Sequence, residues 1–488
     1  MKAVVKYWAA IALATFVWSI TPISWLIVLS KLYSQHTHQA SIWDRPNRNV
    51  FRSIVWYYAL CEIPFSLYLA KLSRRVQRRL PPPEVDNDTL DALLKMCLDI
   101  SVPTVGENGS EEVTEEERIT IFSSNFKRWF HGAHFEDIKA DNVREWLAWA
   151  LGGRELHECK EDADRHALIE RSLKFVEEKV GYHFEEGYNP KCTAMRLTLD
   201  PCLTLHRPLG YYVVCNGVSE GTIAWLRYVH GFRVETELGC DFLVRPREAG
   251  VAATRSTPPV LFLHGLGIGL GQYIAFLKRL VVYKGPLVIL VQPHISTSIT
   301  HPRFLDAPSR DDHVEAVQTI MKRNHFQDAT IVSHSNGTMV HGWLARGAPE
   351  IGKRHILVDP VCFRLWEGAT CFAFLGKKWS SGIEVLLGYF VAREVGVAYT
   401  IGRRFIWTDM IFWLHDLGTT FDHRRLSVVM GEDDVLIDVP ATYQYLRSSN
   451  VPDDCIAICP KAQHGKALFL PSQGMGLVCK ELGIPGPT

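Results

Sequence analysis

Four short stretches of this chain hold the residue types that acyl chemistry needs. Ser333-His334-Ser335-Asn336-Gly337 follows the apolar run Ala329-Thr330-Ile331-Val332 and precedes a helical pattern. A serine presented on a tight strand-to-helix turn needs small residues two positions before and after it, because the fold of the chain brings those positions together. Ser333 and Gly337 meet that need. His264-Gly265-Leu266-Gly267 follows the run Val260 to Leu263, and its glycines let backbone N–H groups turn toward an oxyanion with no Cβ in the way. Gly431-Glu432-Asp433-Asp434 and Gln463-His464-Gly465 each follow a strand-like run. A serine hydroxyl attacks a carbonyl once a base takes its proton, and an imidazole base needs a carboxylate on its other nitrogen to fix its tautomer.

Rival chemistries fit these residues less well. Gly265, Gly267, Gly269 and Gly271 alternate, but a dinucleotide loop needs Gly or Ala at 270 or 272, where the chain has Leu270 and Gln272. No Gly-Lys-Ser/Thr phosphate loop occurs. The 12 cysteines run from Cys61 to Cys479 without a CxxC pair and are expected as buried free thiols, with Cys455 and Cys459 on one face of a strand. His131 and His134 lack a third ligand at usable spacing, so no metal is expected there. His334 and His341 fit pocket lining or packing better than acid/base work.

The elements that must position these groups lie beyond Pro258. Runs at Val260–Leu263, Leu287–Val291, Thr330–Ser333, His355–Val358, Leu426–Met430 and Cys455–Cys459 read as strands, with helical patterns such as Asp311–Lys322 and Asn336–Arg346 between them. That alternation predicts an α/β fold with a largely parallel sheet covered on both faces, and reactive groups at the carboxyl ends of strands.

The pentapeptide around Ser335 and the His-Gly-x-Gly turn resemble the nucleophile elbow and oxyanion turn of the α/β-hydrolase superfamily, over about Pro258 to Leu482. The departure is Ser333, where that family usually has Gly. The resemblance implies a chain order of serine, acid, histidine, giving Ser335 as nucleophile, Asp434 as acid and His464 as base. It also implies Leu266 and Asn336 as backbone donors to the oxyanion. Among 20 histidines His464 is the only one after His423, which places it where such a fold needs its base. Asp433 and Asp359 remain alternative acids. No cofactor or metal is implied. The insertion between the fourth and fifth of these strands is the usual site of a cap, and Cys362 to His415 is about twice as rich in aromatics as the chain average of 11%. Much of that excess must pack the cap on the body; the remainder suggests an apolar acyl pocket or a membrane-touching face. The rest of the chain is similar to large, mostly uncharacterised fungal proteins of this superfamily.

The 488 residues give room for two or three units, and 22% charged with 47% hydrophobic residues excludes wholesale disorder. Lys+Arg and Asp+Glu number 53 each, which argues against a nucleic-acid partner. No residue from Tyr7 to Ser30 is charged, and about 24 residues at roughly 1.5 Å each cover the hydrocarbon core of a bilayer. A second apolar stretch, Ser53 to Ala70, carries Glu62 and Pro64 near its centre, which makes spanning costly. Lys71, Arg74, Arg75, Arg78 and Arg79 follow it, so the soluble part is expected on the cytosolic side, able to meet anionic headgroups there. A second crossing would have to carry Arg45, Arg48 and Arg52 across, and sequons at Asn87 and Asn108 serve only a lumenal domain.

The expected organisation is a membrane region 1–80 with its helix at 7–30, an acidic linker 81–118, a mainly helical accessory region 119–250, and a hydrolase-like unit 251–488 with a cap at 362–420. Thr114 with Glu117 is expected as a capping box, and Gly181 as a helix stop. The expected function is a membrane-anchored serine hydrolase of the esterase or lipase kind, acting on a lipophilic ester. The alternatives are an acyltransferase with the same residues, or a non-catalytic binding protein.

Overall fold

The computed structural model describes residues 2–37, 50–102, 113–246 and 257–487. Arg45, Arg48 and Asn108 lie outside them. The sheet has eight strands: β1 (Arg233–Glu237), β2 (Cys240–Arg245), β3 (Val260–Leu263), β4 (Leu287–Val291), β5 (Ala329–His334), β6 (Gly352–Val358), β7 (Leu426–Gly431) and β8 (Ile456–Cys459). Their spatial order is β1-β2-β4-β3-β5-β6-β7-β8. β2 runs antiparallel to both neighbours and all pairs from β4 to β8 are parallel. This is the α/β-hydrolase fold, with a mostly parallel sheet and an insertion between β6 and β7.

The helices that matter for the site are, in chain order, α1 (Lys2–Thr37), α2 (Val50–Arg75), α3 (Asn87–Ser101), α4 (Glu115–Phe126), α5 (Ala140–Gly152), α6 (Leu156–Glu161), α7 (Ala163–Val180), α8 (Leu209–His230), α9 (Ile274–Leu280), α10 (Arg310–Arg323) and α11 (Gly337–Gly347). Successive strand residues point to opposite faces, so the central strands are apolar throughout. Val260 and Phe262 of β3 pack with Phe276 and Leu277 of α9 and with Met475 and Val478 of the last helix. Leu261 and Leu263 pack with Ala316 and Ile320 of α10 and Val340 and Leu344 of α11.

Two parts of the expected organisation differ in the structure. β1 and β2 precede residue 250, so the sheet-bearing unit begins earlier than 251. β1 reads Arg-Val-Glu-Thr-Glu, an edge strand whose polar residues hide it from a search for apolar runs. Within the expected acidic linker, 87–101 is a helix, α3, and its Leu90, Leu94 and Leu98 enter the same core as the accessory helices and the cap. Its acidic residues occupy the outer face of an amphipathic helix. The capping box of α4 forms, with Thr114 N–H donating to Glu117 Oε2 at 2.9 Å and Glu117 N–H to Thr114 Oγ1 at 3.3 Å. Gly181 ends α7 at φ 82°.

The accessory helices and the cap share one core. Trp129 Nε1 donates to the Trp366 carbonyl at 2.8 Å, Trp407 Nε1 to the Ala150 carbonyl at 2.7 Å, and Trp366 stacks on Trp413 at 4.8 Å between ring centres. Trp366 and Trp407 thus tie the cap to the body, and the Trp366–Trp413 stack braces the cap itself. The 12 cysteines are all free, and only Cys61 and Cys455 are not buried; Cys455 lies just before β8 rather than within it.

Among the described residues two helices are long and apolar enough to cross a membrane, Val4–Thr37 and Val50–Arg75, and the pair Gly382–Ala392 and Val395–Arg403 is bent by 87°. Trp8, Phe16 and Leu26 of α1, Phe51 and Leu67 of α2, and Val213 and Val214 of α8 are exposed. Glu62, the residue expected to penalise α2, is buried against the body instead. Its carboxylate accepts from Thr21 Oγ1 at 2.6 Å, Tyr58 OH at 2.9 Å and the Leu209 N–H at 2.8 Å, the last being the positive end of α8. A buried carboxylate with three donors is satisfied rather than stranded. α1 in turn lies on the cap: Ala10 and Ala14 pack against Val385 and Tyr389. A Cβ at Gly382 would come within 2.7 Å of the Lys6 carbonyl oxygen.

Candidate active site

The turn between β5 and α11 puts Ser335 at φ 51°, a left-handed conformation that strains a side-chain-bearing residue. The turn is held because the chain on both sides leaves no alternative. A Cβ on Gly337 would sit 2.3 Å from the Leu263 carbonyl oxygen, and one on Gly265 would sit 2.8 Å from the Ser335 Cβ. Ser333 is tolerated where glycine is usual because its hydroxyl has a partner: Ser333 Oγ lies 2.7 Å from His341 Nδ1. His341 Nε2 is 2.8 Å from His355 Nδ1, and His355 Nε2 is 3.1 Å from the Gly352 carbonyl. A carbonyl only accepts, so each ring donates through Nε2 and Ser333 donates to the first. Burial holds both imidazoles below their ordinary value, as that neutral chain requires.

The structure brings Ser335, His464 and Asp434 together. His464 Nε2 is 2.8 Å from Ser335 Oγ and its Nδ1 is 2.7 Å from Asp434 Oδ2. The other oxygen of Asp434 accepts from the N–H groups of Leu436 at 2.8 Å and Ile437 at 3.3 Å. Asp433 is exposed and takes no part. Burial alone would lower the His464 ring, but the charge of Asp434, its hydrogen bond and the charge of Asp359 push it up to about 9.

Asp359, the other alternative acid, has a different place. It ends β6, is buried, and accepts from the Gly431 N–H at 3.0 Å and the Gly465 N–H at 2.8 Å. It thus ties the turn before Asp434 to the turn after His464. Tyr273 OH accepts from the Gly265 N–H at 2.7 Å, so its one proton goes to His334 Nδ1, also at 2.7 Å. The remaining His334 proton is on Nε2, 3.7 Å from Asp359. Burial would raise the Asp359 carboxyl, but His334, His464 and the Gly465 N–H hold it below the usual carboxylate range. His334 and His341 therefore pack beneath the elbow, and neither lines the cavity above it. Asp359, Asp434 and His464 have ligand-type atoms within 4.8 Å of one another. Those atoms already receive the donors described, which suits a hydrogen-bonded site better than a metal. His131 and His134 join no such group among the described residues.

Leu266 and Asn336 lie beside Ser335 in the wall of one cavity, and among the described residues their N–H groups donate to no other protein group. The cavity is narrow, about 60 Å³, and almost wholly apolar, with Met339, Leu365, Phe374, Ile401 and Phe405 among its walls. Leu197, from the region of unassigned role before the sheet, also lines it. Nothing in the local sequence marks Leu197 or Tyr273 as parts of the site.

No family model matches the chain, and no curated protein matches it. Among solved structures, it is similar to a bacterial membrane phospholipase A, at 14% identity over 56% of this chain and 92% of that one, with a TM-score of 0.38. It is similar to carboxylesterase CesB from Bacillus subtilis, at 13% identity over 56% of this chain and 99% of that one, with a TM-score of 0.34. A meta-cleavage product hydrolase from Pseudomonas fluorescens aligns at 14% identity over 52% of this chain and 98% of its own, with a TM-score of 0.38.

Proposed function

We propose that the chain is a membrane-anchored serine hydrolase that cleaves a carboxylic ester in a lipophilic molecule. The observation that carries the reading is the hydrogen-bonded line Ser335–His464–Asp434 at the floor of an apolar cavity. Ser335 Oγ attacks the carbonyl carbon while His464 Nε2 takes its proton, and Asp434 stabilises the imidazolium. The N–H groups of Leu266 and Asn336 receive the oxyanion, a contribution of about 3–4 kcal/mol per donor in known cases. His464 then protonates the leaving alkoxide, and water, deprotonated by the same ring, releases the acid from Ser335. The apolar walls suit an acyl chain, and the exposed apolar faces of α1 and α2 suit a bilayer from which such a substrate would come. The Arg-rich end of α2 favours a cytosolic body.

The test is covalent. Intact protein should take up a fluorophosphonate probe and hydrolyse p-nitrophenyl esters, better with longer acyl chains, and Ser335→Ala protein should do neither. A folded wild-type protein that takes no label would overturn the reading.

A further inference from the structure

Beside the apolar cavity lies a larger cleft of about 270 Å³, whose walls mix apolar side chains with charged ones, between the turn after β4, the start of α10 and the end of the cap helix Val395–Arg403. Asn336, Met339, Thr400 and Met410 line both, so the two spaces meet next to the nucleophile. Three cations, Arg310, Arg403 and Arg404, face this cleft against one acid, Asp409. Arg310 pairs with Asp409 at 2.9 Å and with Asp311 at 3.0 Å. Arg403 is 3% exposed, and its guanidinium donates only to the carbonyls of Gln77, Leu197, Thr198 and Asp200. Arg404 donates to the Ala307 carbonyl at 2.8 Å and has Asp306 as its acidic partner at 3.5 Å. Two further buried polar atoms belong to residues in the wall, His294 Nδ1 and Gln292 Oε1, and have no partner among the described residues.

At its outer end the cleft shares Leu80 and Pro81 with an open groove carrying Arg75, Arg78 and Arg79 at the foot of α2. Among the described residues, Arg79 alone of these has an acidic partner, Glu155 at 2.8 Å. Basic residues thus line a path from the end of the proposed anchor to the oxyanion side of Ser335. Three guanidinium groups against one lining carboxylate leave this wall with an excess of positive charge, which an anion entering the cleft would offset with charge-assisted hydrogen bonds.

We propose that this cleft binds the phosphate of a monoacyl lipid ester whose acyl chain occupies the apolar cavity, so that the ester carbonyl spans the junction at Ser335. The proposal rests on the hydrolase reading above and names its substrate class, an acyl ester of a phosphate-bearing alcohol. The ester C–O bond breaks as the acyl group passes to Ser335 Oγ, the alcohol phosphate leaves with the proton from His464, and water completes the cycle to give a fatty acid.

Binding separates this idea from catalysis. Full-length Ser335→Ala protein is titrated by calorimetry with 1-oleoylglycerol 3-phosphate, with 1-oleoylglycerol and with inorganic phosphate. The phosphorylated lipid should bind at least about tenfold more tightly than the neutral lipid. Arg404→Gln in the same background should reduce that preference at least threefold. Because that variant can disturb the cap, the preference is also read in the unaltered cleft at high salt, where it should shrink. Equal affinity for the two lipids, or an undiminished preference in both arms, would overturn the proposal. Inorganic phosphate binding as tightly as the phosphorylated lipid would overturn it in favour of a free-anion site. A preserved lipid preference in a chain whose wild type takes no fluorophosphonate would support the headgroup site while sinking the hydrolase reading.

Discussion

In the proposed mechanism, a proton on His464 decides whether Ser335 can be activated. With its ring pushed up to about 9 from an ordinary 6.5, the imidazolium predominates in the free protein at neutral pH. The general-base form appears only as pH rises through that value. The pH profile of kcat/KM for a soluble ester is therefore expected to show its rising limb on the alkaline side of an ordinary imidazole. The same sign applies to stability: the His464–Asp434 ion pair contributes fully below about pH 6.5 and is lost as pH rises through about 9. Asp434→Asn removes the charge, so the limb should move to lower pH, and kcat should fall by about 10³–10⁴ because the tautomer is no longer fixed. A profile that does not move would show that Asp434 does not govern the ring. That Ser335, His464 and Asp434 would meet was legible at this scale because each sits at the end of an apolar run in the order the resemblance requires. The part of Asp359 was not. It depends on two backbone N–H groups 72 and 106 residues further along the chain, a relation that no local pattern encodes.

At the scale of elements, the elbow is fixed by what surrounds it. Gly337→Ala would drive a Cβ into the Leu263 carbonyl at 2.3 Å, where backbone rather than a flexible side chain must give way. A drop in thermal midpoint equivalent to about 1–3 kcal/mol is expected, with loss of fluorophosphonate labelling. Ser333→Gly restores the more usual residue yet leaves His341 Nδ1 buried without its donor. It should therefore destabilise by about 1–3 kcal/mol rather than stabilise, as measured by denaturant unfolding. The strands from β3 onward were readable because burial on both faces makes them continuously apolar. β1 escaped notice because its burial is partial and its residues charged. α3 escaped because acidic composition outweighed the leucines at positions 90, 94 and 98.

At the scale of the whole molecule, the roof of the cavity is held from two sides. The accessory helices grip it through Trp129, Trp407 and Ser101, whose hydroxyl donates to Glu367 Oε1 at 2.9 Å. α1 covers its other side at Val385 and Tyr389. Deleting residues 2–37 would bare that apolar surface and strip Thr21 from Glu62. The truncated chain is expected to aggregate or melt at lower temperature, by scanning calorimetry in detergent, and to lose activity on soluble esters as well as on lipids. Unchanged activity on soluble esters would show that the helix serves only as an anchor. The close approach at Gly382 carries a mechanical consequence. A helix wedged so tightly against the cap leaves that part of the cap no freedom to shift unless the helix shifts with it.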